Sequence, residues 1–213
     1  MANTNGAFGL RPIAKMGQNA NSTGASEYRI AASNTNAIYQ GSPVIPLAAG
    51  VIDIIAANDT TVGLLGVFWG CEYVSSTTGK KVFSNYWPGT GADSNYPVKA
   101  FVYDDPSQLF VIATSNVVAS FNTEAEVRAA IFANANFAGA TAGTAATGLS
   151  TGTLDLNTIA TTNTLNLRIM GIQEDPENAD FTVAGIPVIV RLNNHFNSPN
   201  GSILGGTVST TGV

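Results

Sequence analysis

The chain is poor in charge, in cysteine and in histidine. Only 11% of its 213 residues are Asp, Glu, Lys or Arg, well under the roughly 25% of an ordinary globular protein. One cysteine, Cys71, excludes an intrachain disulfide and a thiolate metal cage. One histidine, His195, has no companion for a histidine metal site and is the only imidazole base that a serine or cysteine nucleophile could use. Neither the dinucleotide pattern GxGxxG nor the phosphate-loop pattern GxxxxGK followed by Ser or Thr occurs. No 18 apolar residues run together, and the start MANTNGAFGLRPIAKMG lacks the basic end and apolar core of a signal peptide. The chain is therefore expected neither to leave by a cleaved signal nor to span a membrane. Asn21, Asn58 and Asn200 match the glycosylation triplet, which means little without that export route. The nine basic residues stand singly apart from Lys80-Lys81, and the net charge is −5. A nucleic-acid footprint needs Lys and Arg gathered on one face, so DNA and RNA are not expected partners.

What is present is 45% apolar residues in a background of Asn, Thr, Ser and Gly. Such a neutral surface repels its own copies weakly and points to an assembly rather than a free monomer. Residues 1–25 read as an N-terminal arm in which Phe8, Leu10, Arg11, Pro12 and Ile13 form an anchor for the body or for a neighbour. Residues 26–196 read as one β-rich body, with short β-branched and aromatic runs between Gly, Pro, Asn and Asp. Strands are expected near 26–32, 37–40, 43–47, 50–56, 62–75, 80–86, 98–104, 109–114, 165–174 and 186–194. Their spacing fits an all-β sandwich or barrel. VIDII and TVGLLGVFWGCEYV are nearly continuous apolar runs and should be covered on both faces. One short helix is expected near 123–133, where Thr123 and Glu126 have the capping-box spacing and Val127, Ala130 and Ile131 share a face. The small residues near 138–153 read as a long loop or flat outer strand. Residues 197–213 form a tail whose Ile203, Leu204 and Val208 are its bulky apolar residues.

Few chemical candidates survive comparison with a structural role. Asp104-Asp105-Pro106 stands between two alternating runs, Val98–Tyr103 and Leu109–Ala113, so it reads as a corner rather than an acid pair. Glu174, Asp175, Glu177 and Asp180 form the densest acidic run, but the turn glycine of a calcium loop is missing. His195 reads as a satisfied loop or interface residue, and Cys71 as a buried, inert thiol. Trp69 and Trp87 could stack on sugar rings beside a carboxylate pair. No catalytic, cofactor or metal residue is assigned, and the chain is expected not to be an enzyme.

Taken in order, NGAFGLRPIAKMGQ, NAIYQGSPVIPLAAG, LLGVFWG, YPVKAFVYDDPSQLFVI, LNLRIMGIQEDPEN and VIVRLNNHFN resemble the capsid cement, or decoration, proteins of tailed bacteriophages, including short-tailed marine and freshwater phages. The resemblance covers most of the chain. It implies a jelly-roll-like homotrimer on the outer capsid surface of the virion, at three-fold and quasi-three-fold positions, made in the host cytoplasm and partnered by the major capsid protein. Such a protein reinforces the expanded shell against packaged DNA. Phe8, Leu10, Arg11, Pro12, Ile203 and Leu204 are then the expected capsid or inter-subunit contacts, because an extended arm can pair with another chain through its backbone. Two further readings are a carbohydrate- or host-surface-binding module of a phage tail fibre and a small hydrolase working through Asp104 and Asp105.

Overall fold

A computed structural model of the chain describes residues 3–17, 24–56, 63–115, 121–198, 203–204 and 207–208. Asn21, Asn58 and Asn200 lie outside the described residues. The strands are β1 (Arg11–Lys15), β2 (Ser26–Ile30), β3 (Pro43–Leu47), β4 (Val51–Ile54), β5 (Gly66–Val74), β6 (Lys81–Ser84), β7 (Val98–Tyr103), β8 (Gln108–Ala113), β9 (Asn134–Ala138), β10 (Gly143–Thr144), β11 (Leu149–Ser150), β12 (Thr153–Ala160), β13 (Leu167–Ile172), β14 (Pro187–Leu192), β15 (Ile203–Leu204) and β16 (Thr207–Val208). The helix α1 (Glu124–Ala129) stands between β8 and β9.

The protein is mainly β, built of antiparallel sheets with one short helix. The first sheet has the order β1-β8-β14-β13-β9-β12; the second has β2-β7-β5-β3-β4, with β6 also on β5. The chain passes between these two sheets twice, after β1 and after β7. A jelly roll hands successive strands from sheet to sheet, whereas here β2 to β7 stay in one sheet and β8, β9 and β12 to β14 in the other. Residues 98–113 were expected to turn back as a hairpin. Instead β7 and β8 belong to different sheets, and Asp104–Ser107 is the passage between them.

Alternation decides which side chains are enclosed. Val98, Ala100 and Val102 are buried, while Lys99, Phe101 and Tyr103 are only partly covered, as a strand with one core face requires. β5 is covered on both faces: Val67 joins one apolar cluster with Phe110, Ile112, Val188 and Leu167, and Phe68 and Cys71 join another with Trp87, Val98 and Ile52. Each such side chain, fully enclosed, contributes about 1.5–3 kcal/mol relative to exposure. The helix begins as its sequence specifies. The Glu126 N–H donates to the Thr123 hydroxyl at 3.4 Å, and the Thr123 N–H donates to the Glu126 carboxylate at 3.0 Å. Val127 and Ala130 are buried, and Ile131 packs against the same cluster.

Residues 11–15 are not part of an arm: they form the edge strand of the first sheet, antiparallel to β8, with a register shift between Pro12 and Ala14. An edge strand tolerates Pro12, which has no N–H to donate. The stretch 138–153, read as a long loop or a flat outer strand, runs between β9 and β12 mostly without regular structure. It closes the β9–β12 pair and carries the small β10–β11 hairpin, laid against the second sheet's loops through Gln40 N–H to Gly148 O (3.0 Å) and Ser150 N–H to Gln40 O (2.9 Å). Small residues permit this approach: a Cβ on Gly143 would collide with the Tyr39 ring. Residues 37–40, expected as a strand, make only isolated bridges, Ile38 to Trp87 and Gln40 to Leu149.

Before β1, the chain is laced to the body. The Asn3 side-chain amide donates to the carbonyls of Asp180 and Ala184, both at 3.0 Å, and the Asn5 N–H donates to Asn178 Oδ1 at 2.7 Å. Further on, the Gly9 N–H reaches Gly152 O at 3.1 Å, and the Leu10 N–H reaches Gly41 O at 2.9 Å. Gly9 has φ +69° and lies against Gly41 O and Ser150, so a side chain there would be strained and would clash.

Candidate functional site

The corner between the sheets gathers several titratable groups, and its bonds are structural. Asp104 accepts from the Ser26 hydroxyl at 2.8 Å and from the Tyr28 hydroxyl at 2.6 Å, fixing the edge strand β2. Burial, reinforced by the Asp104 carboxylate, pushes the Tyr28 phenol up to about 12. Asp105 accepts from the Ser107 N–H at 2.7 Å and pairs with Lys15 of β1 at 2.7 Å. The Lys15 hydrogen bond holds the Asp105 carboxyl below its usual value. Both acids are thus engaged in holding strands of their own chain, as the corner reading requires.

His195 is 2% exposed, and its Nδ1 accepts the Asn197 N–H at 3.1 Å, while Nε2 is buried without a partner among the described residues. Burial lowers its pKa to about 4, against the opposing pull of Asp104 and Asp105 and with the help of Arg191. A neutral imidazole is what this environment holds. Its backbone forms a bridge with Leu64, which ties the end of β14 to the entry of β5. Only half of the expected satisfaction is met, because one ring nitrogen has no acceptor or donor facing it. Cys71 is buried as expected; its thiol donates to Tyr86 O at 3.3 Å, and burial raises its pKa to about 12.

Asp175 caps a single 3₁₀ turn, Pro176–Asn178, by accepting the Glu177 N–H, and it also accepts from the Asn178 amide at 2.7 Å. Asn178 is 4% exposed and holds the N-terminal residues Thr4 and Asn5. The acidic run is thus a structural clasp. Beside it an open groove of about 540 Å³ runs along α1, lined by Glu124, Arg128, Ile172, Glu174, Pro176 and Phe181. One cation there faces more than one carboxylate: Arg128 pairs closely with Glu124 at 2.7 Å and more loosely with the exposed Glu174 at 3.4 Å. Among the described residues, no three His, Cys, Asp or Glu side chains gather as a metal site, and no helix is long and apolar enough to cross a membrane.

Trp87, one of the two candidate sugar-stacking residues, is fully buried and meets Tyr73 edge-on at 5.4 Å. It cannot face a ligand from there. Trp69 is 36% exposed and lies edge-on to Tyr103 at 5.2 Å.

The expected contact residues separate. Leu10 is fully enclosed in the chain's own core, and Phe8 covers Val111 and Ala113 at the back of the first sheet. These two side chains are consumed within the chain. The Arg11 guanidinium lies 4.3 Å from the Phe8 ring centre and remains exposed, while Pro12 is half-buried opposite Phe110. Ile203 and Leu204 pair with Val208 and Thr207 in a two-residue ladder; their side chains lie outside the described residues.

The surface that the sequence did not disclose is the outward face of the first sheet. Cross-strand partners share a face, so Arg11, Val111 and Ile189 stand together, with Val111 itself covered by Phe8, opposite the enclosed Phe110, Ile112, Val188 and Val190. Leu109 and Arg191 extend that face along β8 and β14, and Arg168 stands opposite Arg191. Leu109 and Ile189 are half-buried, and Ile13 is 40% exposed at the edge. The only prior signal was the odd-numbered apolar set in QLFVIA and PVIVRL, which continuous hydrophobicity concealed. No protein-family model, no curated protein and no solved structure matches the chain.

Proposed function

We propose that this chain is a structural virion protein that binds the outer surface of a phage capsid as a homotrimer, at three-fold and quasi-three-fold positions, and reinforces contacts between major capsid subunits. The motif order described above supplies the family resemblance. The observation that carries the reading is the outward face of the first sheet: apolar residues rimmed by Arg11, Arg168 and Arg191, on a body whose corner acids are already used in holding its own strands. Apolar centres rimmed by Arg are the composition of protein interfaces. The role is mechanical rather than catalytic. The test is sedimentation of the purified protein followed by co-sedimentation with expanded shells. A trimer that pellets with shells supports the reading, and a monomer that stays in the supernatant removes it.

The alternative, a carbohydrate- or host-surface-binding β module of a phage tail fibre, has Trp69 in its favour, half-exposed beside Tyr103. Glycan-array binding abolished by Trp69→Ala, with assembly unchanged, would select it.

A further inference from the structure

We propose that Arg168 and Arg191 receive carboxylates from the acidic segment 174–180 of a second copy of this chain, in a head-to-tail contact. This rests on the self-associating reading above and names the two surfaces that meet.

The receiving side is a cation pair. Arg168 and Arg191 are register partners on β13 and β14, so two guanidinium groups project from adjacent strands of one face. Like charges directly opposite one another destabilise a sheet. Neither has a carboxylate at ion-pair distance among the described residues; the Lys15, Lys81, Lys99 and Arg128 cations do. Arg168 is oriented by its Nε–H bond to Asn134 Oδ1 at 3.1 Å, and Asn134 is itself fixed on Thr162 O at 2.9 Å. One Arg191 terminal nitrogen lies 3.9 Å from the Met16 sulfur, a weak acceptor, and its Nε is buried without a partner among the described residues. Burial and the neighbouring Arg168 both lower the Arg191 pKa, so this cation stands in an environment that lacks its counter-charge. The remaining terminal N–H groups match the geometry in which guanidinium groups take carboxylates two bonds at a time.

The donating side is exposed and held in place. The Glu174 side chain is 85% exposed and makes only the 3.4 Å bond to Arg128. Glu177 is exposed and accepts no bond from the described residues. The Asp175 cap and the Asn3 and Asn5 bonds hold the segment's backbone, so docking orders little that is loose. The chain carries 14 acids against 9 bases, which makes another copy of itself a suitable anionic partner.

Placement excludes a contact within one copy. Arg168 is near the start of β13 and Glu174 lies past its end, about 20 Å further along at the rise of an extended strand. A donor patch and a receptor patch at opposite ends of one strand form a heterologous contact, in which each copy gives and receives, and which closes when the rotation permits. Leu109 and Ile189 beside the arginines supply the apolar part of the surface.

The experiment is sedimentation of the full chain without shells, so that it is read independently of capsid binding. Wild type should sediment above the monomer mass, and its association should weaken as salt is raised. Arg168→Glu with Arg191→Glu should weaken association by about tenfold or more, and so should Glu174→Lys with Glu177→Lys, whose positions are exposed and leave the fold intact. Mixing the two variants should recover association, because each then meets its opposite charge. If both variants assemble like wild type, the inference falls while the trimer reading stands. A monomeric wild type overturns both.

Discussion

At the scale of single residues, His195 sets the acid sensitivity. Its folded pKa of about 4 lies below the ordinary value of 6.5, so between those pH values the unfolded chain takes up a proton that the folded chain refuses. Stability is present in full above pH 6.5 and falls as pH drops through that window, by on the order of 3 kcal/mol at its lower end. Urea midpoints at pH 7, 5.5 and 4.5 should decline in wild type and lie closer together in His195→Gln; parallel slopes in the two would reject the assignment. Asp105, held low by Lys15, loses its contribution only below its usual 3.8, a separate and more acidic step. Replacing Asp104 and Asp105 together by Asn should lower stability by roughly 1–3 kcal/mol through lost bonds to Ser26, Tyr28, Ser107 and Lys15. Equilibrium unfolding at neutral pH measures that loss.

At the scale of elements, the N-terminal strap and the helix cap give distinct signatures. Gly9→Ala places a side chain at φ +69° against Gly41 O and Ser150. It should cost roughly 1–3 kcal/mol and speed trypsin cleavage after Lys15, the end of β1, whereas unchanged proteolysis would mean that the strap is not held at this point. Thr123→Ala should cost about 1 kcal/mol, read as a lower urea midpoint. These elements also differ in how plainly the sequence announced them. β3 was legible at its ends because Pro, Gly and Ala punctuate VIPL, and the helix was legible because Thr123 and Glu126 cap each other through bonds three residues apart. β1 was not, because its pairing with β8 is long-range and its own five residues include a proline. β9, NANFA, follows the helix directly and carries its small residues in a helical-looking run. β12 was not expected either, although Leu154 and Leu156 alternate with Asp155 and Asn157 and both leucines are buried. The preceding Gly, Ala and Thr residues masked that alternation. The two arginines of the outward face were invisible to reading along the chain, since only the β13–β14 register brings them together.

At the scale of the whole molecule, the proposed binding to a shell should depend on the number of copies joined. A trimer engaging three equivalent positions gains effective concentration, so a variant reduced to monomer should bind shells at least about 100-fold more weakly with every shell-facing residue intact. Titration of labelled protein onto expanded shells checks this, and equal affinity for monomer and trimer would refute it. The order of the strands also fixes a timetable for synthesis. The partner of Arg11 is Val111, and the chain between them must be made before β1 has anywhere to lie; for a stretch of about 100 residues at ribosomal speed that is roughly 5–20 s. The second sheet, β2 to β7, has all its strands available earlier. On the nascent chain the first strand translated is thus among the late ones to find its seat, and its arrival locks an already assembled half to one still emerging.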